Sequence, residues 1–245
     1  MVTITLIANA GLCIASANTK LLVDALYRYP PEGFSAPPDG LQSALMEGTP
    51  PFDRVGYVLF THAHPDHFDG TLARSFIERH QPHVVVDRQQ AQALGAAARC
   101  TMIPAGEGAM HEIKLNGGDS LRVFAVRHSG REYAHVTNLC FLLQLEGKRI
   151  LTLGDADFDP DYFRRMAGRE SLDLVIANPL FMLVPKGRQV LFEALSAKRV
   201  AIYHMPFERD DSYGMRKHLR RGIARYAPGK NVAILDEETG TLLLE

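Results

Sequence analysis

Apolar and polar residues alternate in short bursts at the start of the chain, over 2–6, 12–16 and 20–24, with the turn-forming stretches Asn9-Ala10-Gly11 and Ala17-Asn18-Thr19 between them. Period-two alternation of this length predicts strands. After the apolar run Val58-Leu59-Phe60 the period changes, and Leu72, Phe76 and Ile77 fall on one face of a helix predicted over 68–80. A buried strand over 83–86, an Ala-rich helix over 88–99 and a strand over 100–103 follow. The second half repeats this order, with strands over 119–128, 137–145 and 149–154, a helix over 160–167 and a strand over 172–176. A helix over 189–197, a strand over 200–204, a helix over 212–225 and strands over 231–235 and 240–244 complete it. Two β-rich stretches, each followed by helices, predict an α+β fold, an αββα sandwich of two mixed sheets with helices outside.

Residues 28–52 break this rhythm. Pro30-Pro31, Pro37-Pro38 and Pro50-Pro51 exclude a central strand or a long helix. The segment is either an irregular surface excursion or a flap, because it follows Asp24 at one predicted strand end and precedes the run at 58–60. As a flap it would bring Tyr27, Tyr29, Phe34 and Met46 to a substrate.

Composition narrows the class. A chain of 245 residues, 46% hydrophobic, can bury its core as one domain spanning 1–245. A formal net charge of −1 gives no general drive toward nucleic acid, and the basic stretch 216–221 has the spacing of a helix's polar face. Cys13, Cys100 and Cys140 are odd in number and far apart, which predicts buried free thiols in a reducing, cytoplasmic setting. The apolar N-terminus has no basic residue before Lys20 and is interrupted by Asn9 and Gly11, so a hairpin is expected there in place of a signal peptide. No apolar stretch is long enough to span a membrane, and oligomeric state is left open.

The chemistry concentrates in Thr61-His62-Ala63-His64-Pro65-Asp66-His67, just after the apolar run. In an extended segment residues two apart share a side, so His62 and His64 can converge on one point while Asp66 and His67 turn to a second. A lone His is usually a solvated or core side chain. Three His and one Asp crowded together would waste polar groups unless a cation organised them. Imidazole and carboxylate donors without clustered thiolates favour zinc, with manganese, iron or nickel as alternatives.

These residues resemble the His-x-His-x-Asp-His signature of the metallo-β-lactamase superfamily, and His62, His64, Asp66 and His67 match it completely. The resemblance implies three further ligands. His128, ending the alternating run 121–128, is the counterpart of the third histidine, with His135 as its competitor seven residues on. Asp155, in Gly154-Asp155 after an apolar run, is the counterpart of the bridging aspartate, and His204, before Met205-Pro206, of the last histidine. By the same resemblance His62, His64 and His128 would hold one divalent ion, Asp66, His67 and His204 a second, and Asp155 both. Asp66 would also move a proton, Asp24 would fix a ligand imidazole, and Arg131 and His135 would anchor an anionic substrate.

The function so implied is a dinuclear, zinc-favouring hydrolase whose metal-bound hydroxide attacks an ester, lactone or phosphodiester bond of a small molecule. His-x-His, where the di-iron redox branch has His-x-Glu, argues against that branch. Two alternatives stay open: a single-iron oxygenase of the same fold and a non-catalytic metal- or ligand-binding module. Loops such as 181–186 are expected to join the flap in shaping the pocket. His80, His83, His111 and His218 fit no ligand position and are expected to be structural or at the surface.

Overall fold

The computed structural model describes residues 1–95 and 99–245. In it β1 (Val2–Ala8), β2 (Gly11–Ala15) and β3 (Lys20–Val23) form an antiparallel meander, as their alternation predicts. Then come α1 (Asp39–Glu47), β4 (Tyr57–Leu59), α2 (Gly70–His80), β5 (His83–Val86), α3 (Arg88–Leu94) and β6 (Cys100–Met102), with β3 to β6 added parallel, one after another. The second half repeats this plan. β7 (Met110–Lys114), β8 (Ser120–Arg127), β9 (Thr137–Leu145) and β10 (Lys148–Thr152) are antiparallel neighbours.

They lead into α4 (Pro160–Met166), β11 (Leu174–Ala177), α5 (Pro179–Leu183), α6 (Pro185–Gln189), β12 (Val200–Ile202), α7 (Met215–Tyr226) and β13 (Val232–Ile234). β10 to β13 pair in parallel, and the last strand, β14 (Thr241–Leu244), returns to the first sheet beside β1. The sheets therefore run β14-β1-β2-β3-β4-β5-β6 and β13-β12-β11-β10-β9-β8-β7, two seven-stranded mixed sheets in the αββα sandwich.

Alternation along each strand sorts side chains between two compartments. Leu121, Val123 and Ala125 of β8 join Ile4 and Leu6 of β1 between the sheets, while Phe124 and Val126 face the helices and pack with Tyr162, Phe163 and Phe181. On the outer face of the first sheet, Val58 and Phe60 meet Leu72, Phe76 and Ile77 of α2. Both sheets are thus covered on two faces, and ligand-bearing loops are left to the strand ends.

The boundaries differ from expectation where local chemistry overrides periodicity. α2 starts at Gly70 because the Asp69 carboxylate accepts the backbone N–H groups of Thr71 and Leu72. Between its proline pairs the segment 28–52 holds a nine-residue helix, α1, entered from Pro38 and closed at Gly48 in the left-handed region. In place of the helix expected over 189–197, helical structure begins ten residues earlier as two short helices parted at the extended Val184: Pro179 and Pro185 each occupy a first helical turn, and a π turn continues from α6 over Val190–Ala194. Residues 181–186, expected to be a loop, are therefore mostly helical, and Phe181 is buried.

His111 lies on β7, a strand whose alternation in Met110–Lys114 is only half apolar. The helix expected over 88–99 ends at Leu94, and its continuation over 96–98 lies outside the described residues. Cys13 and Cys140 are buried free thiols, but Cys100 is exposed, because β6 is an edge strand with two exposed positions. In the basic stretch of α7, Lys217, Arg220 and Arg221 are exposed as expected. Arg216 instead turns inward, 2.9 Å from Glu237 and 3.3 Å from Asp236. No helix among the described residues is long and apolar enough to cross a membrane.

Candidate metal centre

The parallel strands β4 and β12 and the strands β8 and β10 end at one edge of the sandwich, and each releases a histidine or carboxylate there. Leaving β4, the chain places the His62 Nε2 3.0 Å from His64 Nδ1. The His128 ring, just past β8, packs against both, with centroids 4.7 Å from each. Its Nδ1–H donates to the Ser129 carbonyl at 2.6 Å, so the lone pair on Nε2 is aimed into the cluster. That Nε2 is buried without a hydrogen-bond partner.

A second group shares this edge. His67 Nε2 and His204 Nε2 are 2.8 Å apart, and Asp66 Oδ2 lies 3.6 and 3.4 Å from them. Asp155 stands between the groups: Oδ2 is 3.5 Å from His128 Nε2 and 3.6 Å from His67 Nε2, while Oδ1 is 3.6 Å from His204 Nε2. Three overlapping donor sets result: His62, His64 and His128; His62, His67 and Asp155; Asp66, His67 and His204.

Several donors are oriented from behind. The buried Asp24 accepts from Thr61 N–H at 2.8 Å, from the Thr61 hydroxyl at 2.7 Å and from His67 Nδ1 at 2.9 Å. Since that hydroxyl donates to Asp24, it accepts from His62 Nδ1 at 2.9 Å. Both imidazoles thereby carry hydrogen on Nδ1 and present the lone pair of Nε2.

Three asparagines hold Asp155 and Asp66, one through the backbone and two through the carboxylates. Asn138 accepts from Asp155 N–H at 2.9 Å, Asn178 donates to Asp155 Oδ1 at 2.8 Å, and Asn9 donates to Asp66 Oδ2 at 3.3 Å. Gly154 is required by its φ of 55° and by crowding, since a Cβ there would stand 2.6 Å from Asn138 Oδ1 and 2.8 Å from Thr61 Cγ2. His204 and Asp24 also occupy left-handed backbone, at φ 58° and 48°. Asn9, which holds Asp66, shares this conformation at φ 38°.

Electrostatics favour the ligand forms of most of these groups. Burial, then the neighbouring His67, pushes His62 well below the ordinary imidazole range, and burial with His128 and His67 lowers His64. Burial opposes charge on His67, but Asp66, Asp24 and Asp155 outweigh it and raise this imidazole. Burial likewise opposes charge on Asp155, yet His204, His128 and His67 hold its carboxyl well below the usual range. The donor set fits divalent cations. Ligand atoms about 2.0–2.2 Å from a tetrahedral ion stand about 3.3–3.6 Å from one another. The carboxylate-to-imidazole separations of 3.4–3.6 Å match that edge length.

The other residues singled out by sequence fall elsewhere. Arg131 is exposed on a one-turn helix over Arg131–Tyr133, and His135 is exposed beside a shallow cavity with Glu107 and Thr137. Between them Tyr133, which periodicity could not distinguish within the loop, leans its ring on His64 and His128 at 4.8 and 5.0 Å. Of the aromatic and apolar residues in the proline-rich segment, Phe34 reaches the site, edge-on to His204 at 5.5 Å. Tyr27 is buried with its hydroxyl 3.0 Å from both the Ala8 and Ser35 carbonyls, which share its one hydrogen, Tyr29 is exposed, and Met46 packs under α2. Beside Asp155 and His204 opens a cavity of about 200 Å³, lined also by Phe34, Leu180, Pro206, Tyr213 and Met215.

Two facing mixed sheets with clustered histidines and carboxylates at one edge define a metallo-β-lactamase-fold protein with candidate metal sites. The family model described as the Beta-lactamase superfamily domain matches residues 19–207, and the chain belongs to that superfamily. Among solved structures it is similar to an isothiocyanate hydrolase from Delia radicum gut bacteria, with 17% identity over 99% of each chain and a TM-score of 0.71. It is also similar to a possible metal-dependent hydrolase from Veillonella parvula DSM 2008, with 18% identity over 100% of each chain and a TM-score of 0.69. CmlA, a diiron β-hydroxylase from Streptomyces venezuelae, shares the fold at 15% identity and a TM-score of 0.62, over 99% of this chain and 54% of its own. At these identities the likenesses concern the fold. No curated protein matches by sequence.

Proposed function

We propose that the chain is a hydrolase that uses two divalent cations, zinc favoured over manganese, iron or nickel, to cleave an ester, lactone or phosphodiester bond of a small molecule. The observation that carries this reading is the position of Asp155 between two histidine groups, within 3.6 Å of donors in both. His62, His64 and His128 would hold one cation, and Asp66, His67 and His204 the other, with Asp155 common to both. Such ions, when bound, polarise the scissile group and lower the pKa of water toward neutrality.

The protein's own groups do the remaining work. Asp66 Oδ2, held by Asn9 at 3.3 Å, orients the attacking water and carries its proton to the leaving group. Asp24 and Thr61 keep His67 and His62 in the ligating tautomer, and Asn138 and Asn178 hold Asp155 in register. Tyr133 shields the His64 and His128 rings from water. The 245 residues act as one domain, with 28–52 serving as a flap through Phe34, and the three unpaired cysteines suit a reducing cytoplasm.

The test is a panel of esters, lactones, thioesters, phosphodiesters and isothiocyanates, the last because of the similar isothiocyanate hydrolase. Turnover that chelation abolishes and zinc restores is expected. Oxygen uptake by an iron-loaded chain with no hydrolysis would overturn the proposal in favour of an oxygenase.

A further inference from the structure

The cavity beside Asp155 and His204 differs from the donor cluster in kind. Its wall is apolar: Phe34, Leu180, Pro206, Tyr213 and Met215 line it, and Leu180 and Tyr213 remain 41% and 68% exposed. Large apolar side chains gathered on one exposed concave face are a feature of ligand sites. The wall is also built in place. The Tyr213 ring lies directly over Gly33, leaving no room for a Cβ there. Ser35 ties the same loop to the segment below Tyr213, donating to Asp210 at 2.6 Å and accepting from Phe207 N–H at 2.8 Å.

Charge on this wall has one sign. Among the described residues no lysine or arginine lines the cavity, and its carboxylates are Asp155 and Asp211. Asp211 is committed to the start of α7, where it accepts from Met215 N–H at 2.7 Å and Arg216 N–H at 3.0 Å. An anionic substituent seated here, away from the donor cluster, would lose hydration and find apolar carbon and the Asp211 carboxylate. Arg131 and His135, the cationic candidates from sequence, do not reach it.

We infer that this cavity is the substrate's acyl subsite and that it selects an uncharged carboxylic ester or lactone with an aliphatic chain, against an anionic phosphodiester. The inference rests on the hydrolase reading above and narrows it. In the reaction water adds at the acyl carbon: the C–OH bond forms, the C–O bond to the alcohol breaks, and the proton from water leaves on that alcohol. With about 30 Å³ per small group, 200 Å³ seats about six or seven heavy atoms. Leu180 and Tyr213 set the depth, and neither touches the donor cluster.

Zinc-loaded protein should be assayed with 4-nitrophenyl acetate, butyrate, hexanoate and decanoate and with bis(4-nitrophenyl) phosphate. kcat/KM should rise about threefold to fourfold per methylene as far as hexanoate and then level, with the phosphodiester slowest. Leu180→Ala and Tyr213→Ala should cut the hexanoate-to-acetate ratio at least fivefold, through KM. Leu180→Arg should shift selectivity toward the phosphodiester. Because the chain has no tryptophan, Tyr213→Trp supplies a binding signal independent of turnover: its emission should respond to hexanamide at concentrations well below those needed for acetamide.

A flat chain-length profile, or a phosphodiester turned over faster than every ester, overturns the subsite and leaves the hydrolase. Chain-length-dependent quenching by the amides with no hydrolysis of any substrate keeps the subsite and overturns the hydrolase.

Discussion

Asp24→Asn isolates the contribution of a residue that lies behind the donors. Asparagine tolerates the left-handed backbone at φ 48°, so the loop after β3 should keep its course. The carboxylate accepts three hydrogen bonds, from Thr61 N–H, the Thr61 hydroxyl and His67 Nδ1. An amide oxygen can replace only one carboxylate oxygen: in the Oδ2 place it sets the NH₂ against the Thr61 N–H, and in the Oδ1 place it sets the NH₂ against the His67 Nδ1–H. One to two charge-assisted bonds disappear, each worth about 1.5–3 kcal/mol. His67 exchanges its carboxylate partner for a neutral amide oxygen or for none, and groups in this position typically tune metal affinity by about 10–100-fold.

A competition titration of the metal-free chain against a chromophoric chelator should therefore show two binding steps in the parent. In the variant the step dependent on His67 should weaken about 10–100-fold, and the other should move less. Stability of the metal-free chain should fall by about 1–3 kcal/mol, a melting shift of about 3–10 °C for a chain of this size. Two binding steps within threefold of the parent's would refute the orienting role of Asp24.

Three other substitutions probe separate links. His128→Ala should lower metal content more than His135→Ala, measured by plasma emission after zinc loading, because only His128 aims a buried, unpartnered nitrogen into the cluster. Gly154→Ala should cost about 2–5 kcal/mol in urea unfolding, combining positive-φ strain with overpacking against Asn138 and Thr61; a loss under 1 kcal/mol would contradict it. The Arg122 bond, against the opposing effect of burial, holds Glu170 below the ordinary carboxyl range, with help from the charges of Arg122 and Arg149. A lowered carboxyl contributes stability above its unfolded pKa and loses it as pH falls through the folded value. Glu170→Gln should thus be less stable by about 0.5–1 kcal/mol at pH 7 and indistinguishable from the parent near pH 2, by urea melts at both.

What periodicity could reveal follows from what it measures. Alternation in β1, β8 and β9 reports which side of a sheet each residue faces, and the αββα arrangement was legible because these strands are covered on both faces. Helix starts depended on side-chain caps: Asp69 moved the start of α2 from the expected 68 to Gly70, while α4 begins at Pro160 as expected, behind the cap Asp159. In the run 179–194 a loop was expected over 181–186, whereas Pro179 and Pro185 each start a new helical turn there.

At the candidate site the histidines were visible, since four donors crowd one short loop. The residues that aim them were less so. Asn9, Asn138 and Asn178 are ordinary turn or strand-end residues until the two sheets bring the ends of β1, β9 and β11 to one edge, and nothing local marks Tyr133 above its neighbours Arg131 and His135. The apolar cavity was equally hidden, because Phe34, Leu180 and Tyr213 come from three distant loops or helix ends.

The central claim is that two ions share Asp155. Metal content of the purified chain, loaded with zinc, freed of excess by gel filtration and measured per chain by plasma emission, tests it most directly. About two zinc ions per chain are expected, falling to about one or fewer in Asp155→Ala. One ion per chain in the parent, or two retained in Asp155→Ala, would contradict the claim.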